Sequence, residues 1–504
     1  MKIFTAAQIR SWDQFTISRE PISSIQLMER ASATVANWIS EHCKVRRKAV
    51  VLCGNGNNGG DGFAIARMLY MKGFDIDVFV NDPKGKFSED AALNFKRLRE
   101  ISGVSVRTFS QIEQYSFDDK TIIIDALFGT GLSRPLADEY KVLVDRINEK
   151  DHLKIAVDVP SGLSADGLFD GNSSVLKADY TLSFQSWKRS FLHPETGKYT
   201  GKVIILDIGL SEKYKEATET SYFSTDDSFA GSLFIPRNDF AHKGNYGKAV
   251  IAGGSYGKTG AAVLATKSAL KTGAGLTFTL APQCGYNVLQ TSCPEAMFME
   301  GGDRFITHFE IDNDATIGIG PGLGIHRDTQ KALFTFLKDY QNPLVLDADA
   351  LNIIAGEKDF QLIPRHSIIT PHPKEFERLF GKTENSFERL ELAKEKAKEF
   401  SIYIVLKDHH TQVVTPEGNV YYNLTGNAGL AKGGSGDILT GILTSLLAQG
   451  YSAKHSCIVG VWLHGKAADF AAEKHSKESM LPTDVIDELG NVFNELNRRT
   501  ERNL

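Results

Sequence analysis

The stretch GNAGLAKGGSGD (426–437) runs directly into the apolar segment ILTGILTSLLAQG (438–450). The pattern predicts a glycine-rich loop that ends in an acid at the mouth of a helix. Glycines and Ser435 let the backbone come close to an anion. The first N–H groups of a helix lack intrahelical partners, so they point at whatever sits there. Asp437 would then stand beside a bound phosphate, where a base is useful. This arrangement points to phosphoryl chemistry on a small hydroxyl-bearing molecule. The plainer alternative is an N-cap in which Asp437 only complements the helix dipole.

Working outward, a chain of 504 residues is too long for one ordinary core, and two or three domains are expected. A formal net charge of -5 gives no electrostatic reason to expect nucleic-acid or membrane binding. No run reaches 18 apolar residues, so no membrane span is expected. The opening MKIFTAAQIRSWDQ shows no apolar signal region. The five cysteines, Cys43, Cys53, Cys284, Cys293 and Cys457, are odd in number and scattered. That suits a reducing compartment, hence the cytoplasm, and argues against a zinc site.

The first half alternates short apolar runs with helical patterns. Strands are predicted at 48–53, 75–80, 121–127, 154–159, 179–184 and 202–208, with helices near 60–72, 88–101 and 137–149. An N-terminal helical arm covers about 5–42. Alternation of this kind implies a mostly parallel sheet covered by helices on both faces. The pattern fails over about 211–240, and the domain seam is placed near 212–228. A second α/β series follows, with strands at 248–254, 316–322, 344–349, 367–373, 403–408 and 411–415 and in LTFTLA, then helices at 437–449 and near 453–474.

In the first half, GNGNNGGDG (54–62) lies between a strand and a helix. Gly54, Gly56 and Gly59 formally match GxGxxG, but Asp75 and Asp77 begin the next strand, whereas a ribose-binding acid normally ends it. The segments DALFGTGLSRP (125–135) and DVPSG (158–162) fall at the ends of further strands, where open α/β sheets place ligands. Together they would converge Asn57, Asn58, Asp61, Asp125, Gly129–Pro135, Asp158 and Ser161 on one rim. Oxygen ligands from Asn58, Asp125 and Ser161 suit a hard cation.

These three motifs, in this order, resemble the epimerase domain of the NAD(P)H-hydrate repair system over roughly residues 1–215. That family acts on NADHX and NADPHX, reduced cofactors carrying water at C6 of the nicotinamide ring. The resemblance implies a Rossmann-like three-layer α/β/α sandwich. It implies that Asn57, Asn58, Gly59, Gly60, Asp61, Gly129, Thr130, Gly131, Leu132, Ser133, Arg134, Pro135, Tyr140 and Asp158 bind the hydrated cofactor. It also implies that Asn58, Asp125 and Ser161 bind potassium. Inverting a carbinolamine carbon moves protons through a charged intermediate, so a carboxylate nearby is needed. Asp158 is expected in that role, with Asp61 as the alternative.

In the second half, AGGSYGKT (252–259) contains GKT but lacks the first glycine of a P-loop. GIGPGLG (318–324) ends a strand in a loop whose N–H groups can face an anion. TPHPKE (370–375) holds His372 between prolines, and KDHHT (407–411) links two β-type runs.

HKGNYG, GGSYGKTGAA, GPGLG, TPHPKE, the KxxxT of 407–411 and GNAGLAKGGSGD together resemble the ADP- or ATP-dependent NAD(P)H-hydrate dehydratase, within the ribokinase-like superfamily. The likeness runs over about 225–500 and assigns 225–504 to a ribokinase-like α/β domain. It implies that Ala261, Gly322, His372 and Asp437 contact the hydrated cofactor. It implies that Lys407, Asp408, His409, His410, Thr411 and Gly436 contact the adenine nucleotide, with Mg²⁺ on its phosphates. Asp408, His409 and His410 depart from the small residues expected in that loop. Phosphorylating the C6 hydroxyl would convert a poor leaving group into phosphate, with Asp437 as general base.

Hydration gives two epimers, so an epimerase beside a dehydratase makes one repair route. The competing reading is a ribokinase-like vitamin kinase, acting on a pyrimidine or thiazole alcohol, with an N-terminal binding or oligomerisation module. The expected partners are NADHX or NADPHX and ADP or ATP. Self-association is expected from the apolar content of the N-terminal arm.

Overall fold

The computed structural model describes residues 1–169 and 173–502. It divides into two compact units, Lys2–Thr220, and Ser221–Leu504 with Met1.

Among the described residues, the first unit holds seven strands: β1 Lys48–Cys53, β2 Asp75–Val80, β3 Ser105–Thr108, β4 Thr121–Ala126, β5 Leu153–Val157, β6 Tyr180–Phe184 and β7 Lys202–Leu206. All are parallel, in the order β3-β2-β1-β4-β5-β6-β7. Both faces of the sheet are buried. Val51 and Cys53 of β1 join one apolar core, while their neighbours Val50 and Leu52 join another. The apolar runs are continuous because each strand buries both faces. This is the α/β/α sandwich expected for the first half. The order reverses between β1 and β4, which opens a crevice at the carboxyl ends of those strands.

The arm forms two helices, Ala6–Arg19 and Ser24–His42. Its apolar residues Phe4, Ile9, Trp12 and Leu27 pack with Ile208 and Leu210 of the same unit. Their burial is internal, so the arm's apolar content is no argument for self-association.

The second unit contains β8 Tyr222–Thr225, β9 Lys248–Ala252, β10 Leu276–Ala281, β11 Met297–Glu300, β12 Thr316–Ile319, β13 Val345–Leu346, β14 Ile368–Ile369, β15 Tyr403–Leu406, β16 Gln412–Val414 and β17 Val420–Asn423. Their order is β11-β10-β9-β12-β13-β14-β15-β16-β17-β8. The strands from β11 through β15 run parallel, and β16 is antiparallel to both neighbours. The stretch read as patternless contains β8, which pairs in parallel with β17. Helix Ser435–Ala448 is buried along most of its length, so its sequence is apolar all round. Helix Ala453–Ser479 continues past the expected end and is broken at Ser476. A further helix, Pro482–Arg502, packs Val485, Leu489, Val492 and Leu496 into the same helical core. Among the described residues, no helix is long and apolar enough to cross a membrane.

Candidate functional sites

In the first unit, the loops after β1, β4, β5 and β6 enclose a cavity of about 360 Å³. Of the expected residues, Asn57, Asn58, Asp61, Gly129, Thr130, Gly131, Leu132 and Asp158 line it. Gly59 and Gly60 are buried at the start of helix Asn57–Met71 and are absent from the wall. Ser133, Arg134 and Pro135 are exposed beyond it. Tyr140 packs edge-on against Phe128, which does line the cavity.

Asp158 follows β5 with φ +64°, a conformation that costs a non-glycine residue about 1–3 kcal/mol. It is held by the ammonium of Lys188 at 2.9 Å and by the Phe184 N–H at 3.3 Å. Lys188 is itself buried and donates to Ser183 Oγ and the Phe184 carbonyl, each at 2.8 Å. Asp61 accepts from Ser32 Oγ at 3.0 Å. Burial, then the charges of Asp158 and Asp13, holds its carboxyl well above the usual range despite that hydrogen bond. Asp13 enters the same cavity from the N-terminal arm. Burial and Asp158 push it to about 7. Gly129 sits where a methyl group would come within 3.1 Å of Asn58 Oδ1 and 3.3 Å of Asp158 Oδ2.

Asp125, fully buried, accepts the Ser161 hydroxyl at 2.6 Å and the Ser161 N–H at 2.8 Å. Burial raises its carboxyl to about 6, against the pull of those hydrogen bonds. Asn58 Nδ2, at the start of helix Asn57–Met71, is buried and has no hydrogen-bond partner among the described residues.

In the second unit, Gly434 takes φ +102° as the N-cap of helix Ser435–Ala448, a left-handed conformation open to glycine at little cost. The turn puts Gly436 and Asp437 in the first helical turn. Around them lies a connected set of charges. Lys407 Nζ bridges Asp347 at 2.8 Å and Glu375 at 3.7 Å. Asp347 also accepts from Thr440 Oγ1 at 2.9 Å. Burial works against the Lys407 ammonium, but Asp347 and Glu375 outweigh it and raise its pKa. Burial and then Asp347 push Asp437 up to about 7, against the pull of Lys407. Gly436 stands beside these groups: a methyl there would lie in ordinary contact, 3.4 Å from Asp347 Oδ2 and 3.5 Å from Lys407 Nζ.

Gly322 and Ala261 meet: a methyl on Gly322 would lie 3.1 Å from Ala261 Cβ. Lys258, three residues before Ala261 in the chain, pairs with Asp349 at 3.1 Å, and Asp349 also raises Asp437. His372 caps helix Pro373–Phe380, with Nδ1 accepting from the Lys374 and Glu375 N–H groups. Burial lowers its pKa against the pull of Glu375, whose Oε1 lies 3.4 Å from Nε2. In the loop after β15, Asp408 pairs with Arg389 and His410 Nδ1 meets the Asn423 carbonyl at 2.9 Å. His409 is exposed, and Thr411 accepts the Asn423 N–H. The bulky middle of this loop is thus tied partly into the protein.

Four participants were not foreseen from sequence: Asp13, Lys188, Asp347 and Glu375. Asp13 and Lys188 lie outside the glycine-rich motifs. Asp347 and Glu375 stand inside quoted segments, but nothing in their spacing reveals that Lys407 joins them.

These two units define a two-site α/β enzyme, with one site suited to proton transfer and the other to reaction at a phosphate. The family described as NAD(P)H-hydrate dehydratase matches residues 249–491, and that described as YjeF-related protein N-terminus matches residues 24–190. The bifunctional NAD(P)H-hydrate repair enzyme of Moorella thermoacetica is 32% identical over 526 residues, covering 99% of this chain and 98% of that relative. That of Escherichia coli is 32% identical over 497 residues, covering 98% and 94%. An ADP/ATP-dependent NAD(P)H-hydrate dehydratase structure from Bacillus subtilis, co-crystallized with ATP/Mg²⁺, is 30% identical; it covers 54% of this chain and 98% of that one, with a TM-score of 0.49. The chain belongs to the family of bifunctional NAD(P)H-hydrate repair enzymes.

Proposed function

We propose that the first unit inverts hydrated NADH and NADPH at C6 and that the second dehydrates one epimer at the expense of ADP or ATP. The observation that carries the second half is Asp437, a carboxyl held at about 7 in the first turn of a helix entered through a glycine-rich loop. A base works best when its pKa lies near the working pH.

In the second site, Asp437 takes the proton from the C6 hydroxyl. The hydroxyl oxygen forms a bond to the terminal phosphorus of the nucleotide, and the bond to the departing AMP or ADP breaks. The ring nitrogen lone pair then expels phosphate from C6, and loss of a proton from C5 restores the ring double bond. Lys407 and the N–H groups at Gly436 face charge developing on the transferred group. Ala261, Gly322 and His372 position the nicotinamide end, and residues 407–411 the adenine nucleotide. Mg²⁺ enters with the nucleotide phosphates, as this ion is bound mainly by phosphate and water.

In the first site, the leaving or opening C6 hydroxyl needs a proton and the returning water must lose one. Asp158, held 2.9 Å from the Lys188 side chain, is the base. Asp61, whose carboxyl burial holds well above the usual range, and Asp13, which burial raises to about 7, are the acids. Asn58, Asp125 and Ser161 supply hard oxygen donors that fit K⁺, and Asp125 is a buried carboxyl that such a cation would favour in its charged form. K⁺ supplies positive charge there when bound. The five free thiols suit a reducing compartment, and we place the reaction in the cytoplasm.

The reaction is tested by incubating the protein with hydrated NADH, Mg²⁺ and ADP or ATP. Inorganic phosphate should appear one for one with NADH. A stable phosphorylated product without NADH would overturn the elimination step.

A further inference from the structure

A second, larger cavity of about 540 Å³ lies at the carboxyl ends of β2 and β3 in the first unit. Asn81, directly after β2, and Phe109, directly after β3, form one wall, and helix Asp138–Asn148 forms the other. Tyr140 stands between the two cavities. Its ring packs at 4.8 Å from that of Phe128, which lines the carboxylate cavity, and at 5.5 Å from that of Phe109, which lines the second.

We propose that this second cavity holds the adenosine half of the hydrated dinucleotide and favours a ribose without a 2′-phosphate, so that hydrated NADH is the preferred substrate of inversion. The inference rests on reading the first unit as the epimerase. At about 360 Å³ the carboxylate cavity is near the small end of ligand sites, roughly 300–1,000 Å³, and has room for one nucleoside rather than two. The sheet order supplies the direction. Asp158 follows β5 on one side of the β1/β4 reversal, and the second cavity follows β2 and β3 on the other. A ligand crossing that reversal leaves one half on each side. The wall is more apolar than the first cavity's, which suits a purine.

Charge decides the ribose. Glu113, Asp138 and Glu139 line the cavity, with Arg146 as its one basic residue. Arg146 is already paired with Glu113 at 2.6 Å. Asp138 and Glu139 occupy the first turn of the helix, where an added phosphate would otherwise be welcome. A 2′-phosphate would bring about two negative charges against them.

Val142 lines the cavity and is 60% exposed, so Val142→Trp fills the space without disturbing the core. Initial rates of inversion are followed by chromatography of the two epimers, with no ADP or ATP present. Two substrates are compared: hydrated NADH, and hydrated reduced nicotinamide mononucleotide, which lacks the adenosine half. For hydrated NADH, kcat/KM should fall about tenfold or more through KM, the scale of one spoiled pocket contact, while the mononucleotide is unaffected. Equal loss on both, or loss on neither, would overturn the assignment. Glu139→Lys should lower the ratio of kcat/KM for hydrated NADH over hydrated NADPH by about fivefold, and an unchanged ratio would refute the charge argument. If the unaltered protein inverts neither substrate, the epimerase reading itself has failed.

Discussion

Lys188 Nζ lies 2.9 Å from Asp158 Oδ1, and the lysine side chain is 1% exposed. A buried lysine side chain beside a carboxylate on a strained backbone fixes that carboxylate in place. Removing one partner of such a pair costs about 3–5 kcal/mol, because the other is left buried and uncompensated. Lys188→Met should therefore lower inversion about a hundredfold, the lower end of general acid–base effects. Dehydration of the correct epimer by the same protein should be unchanged. Parallel rate measurements on separated epimers check both statements.

Gly129 lies in the gap between Asn58 and Asp158. The added methyl of Gly129→Ala would come within 3.1 Å of one and 3.3 Å of the other, closer than most carbon contacts. The fold should survive, since the neighbours are side-chain ends lining a cavity. Inversion should fall by about tenfold, on the scale of a spoiled pocket contact, while the melting temperature barely moves.

The pH profile of dehydration carries the signature of Asp437. As a base it must be deprotonated, and burial with Asp347 sets its pKa at about 7. The kcat/KM should rise with pH through about 7 and then level. Asp437→Asn should lower the rate by about 10³-fold or more, near the upper part of the general-base range. A profile flat from pH 5 to 9 in the unaltered protein would remove Asp437 from that role.

The same residue links stability to pH. Its folded-state pKa, about 7, lies above that of an unfolded chain, so the strain of ionising it is absent at low pH and complete above pH 7. Asp437→Asn should raise the melting temperature of the second unit at pH 8 by about 2–4 °C, for roughly 1 kcal/mol. Near pH 4 the gain should vanish. Loss of the attraction to Lys407 keeps the expected gain this small.

Much of the fold is legible from apolar runs. Those at Lys48–Cys53, Asp75–Val80 and Leu276–Ala281 coincide with strands, because buried parallel strands need little else. The runs at 344–349 and 367–373 shrink to two-residue strands, since their remaining residues bend away to carry Asp347 and His372. Ser105–Thr108 and Tyr222–Thr225 carry too much polarity to register alone, and only their neighbours in the sheet make them strands. The glycine-rich motifs mark where ligands approach. They do not reveal Asp13, which a helix outside the sheet delivers, or Lys188, whose burial only tertiary packing creates.

The most direct measurement follows NADH recovered at the dihydronicotinamide absorbance from an equal mixture of the two hydrated epimers, with ADP or ATP and Mg²⁺. The unaltered protein should recover all of it. Asp158→Asn should stop near the fraction present as the dehydratase's own epimer, apart from slow spontaneous inversion, and Asp437→Asn should recover almost none. Full recovery at the unaltered rate with Asp158→Asn, or undiminished recovery with Asp437→Asn, would contradict the division of labour between the two units.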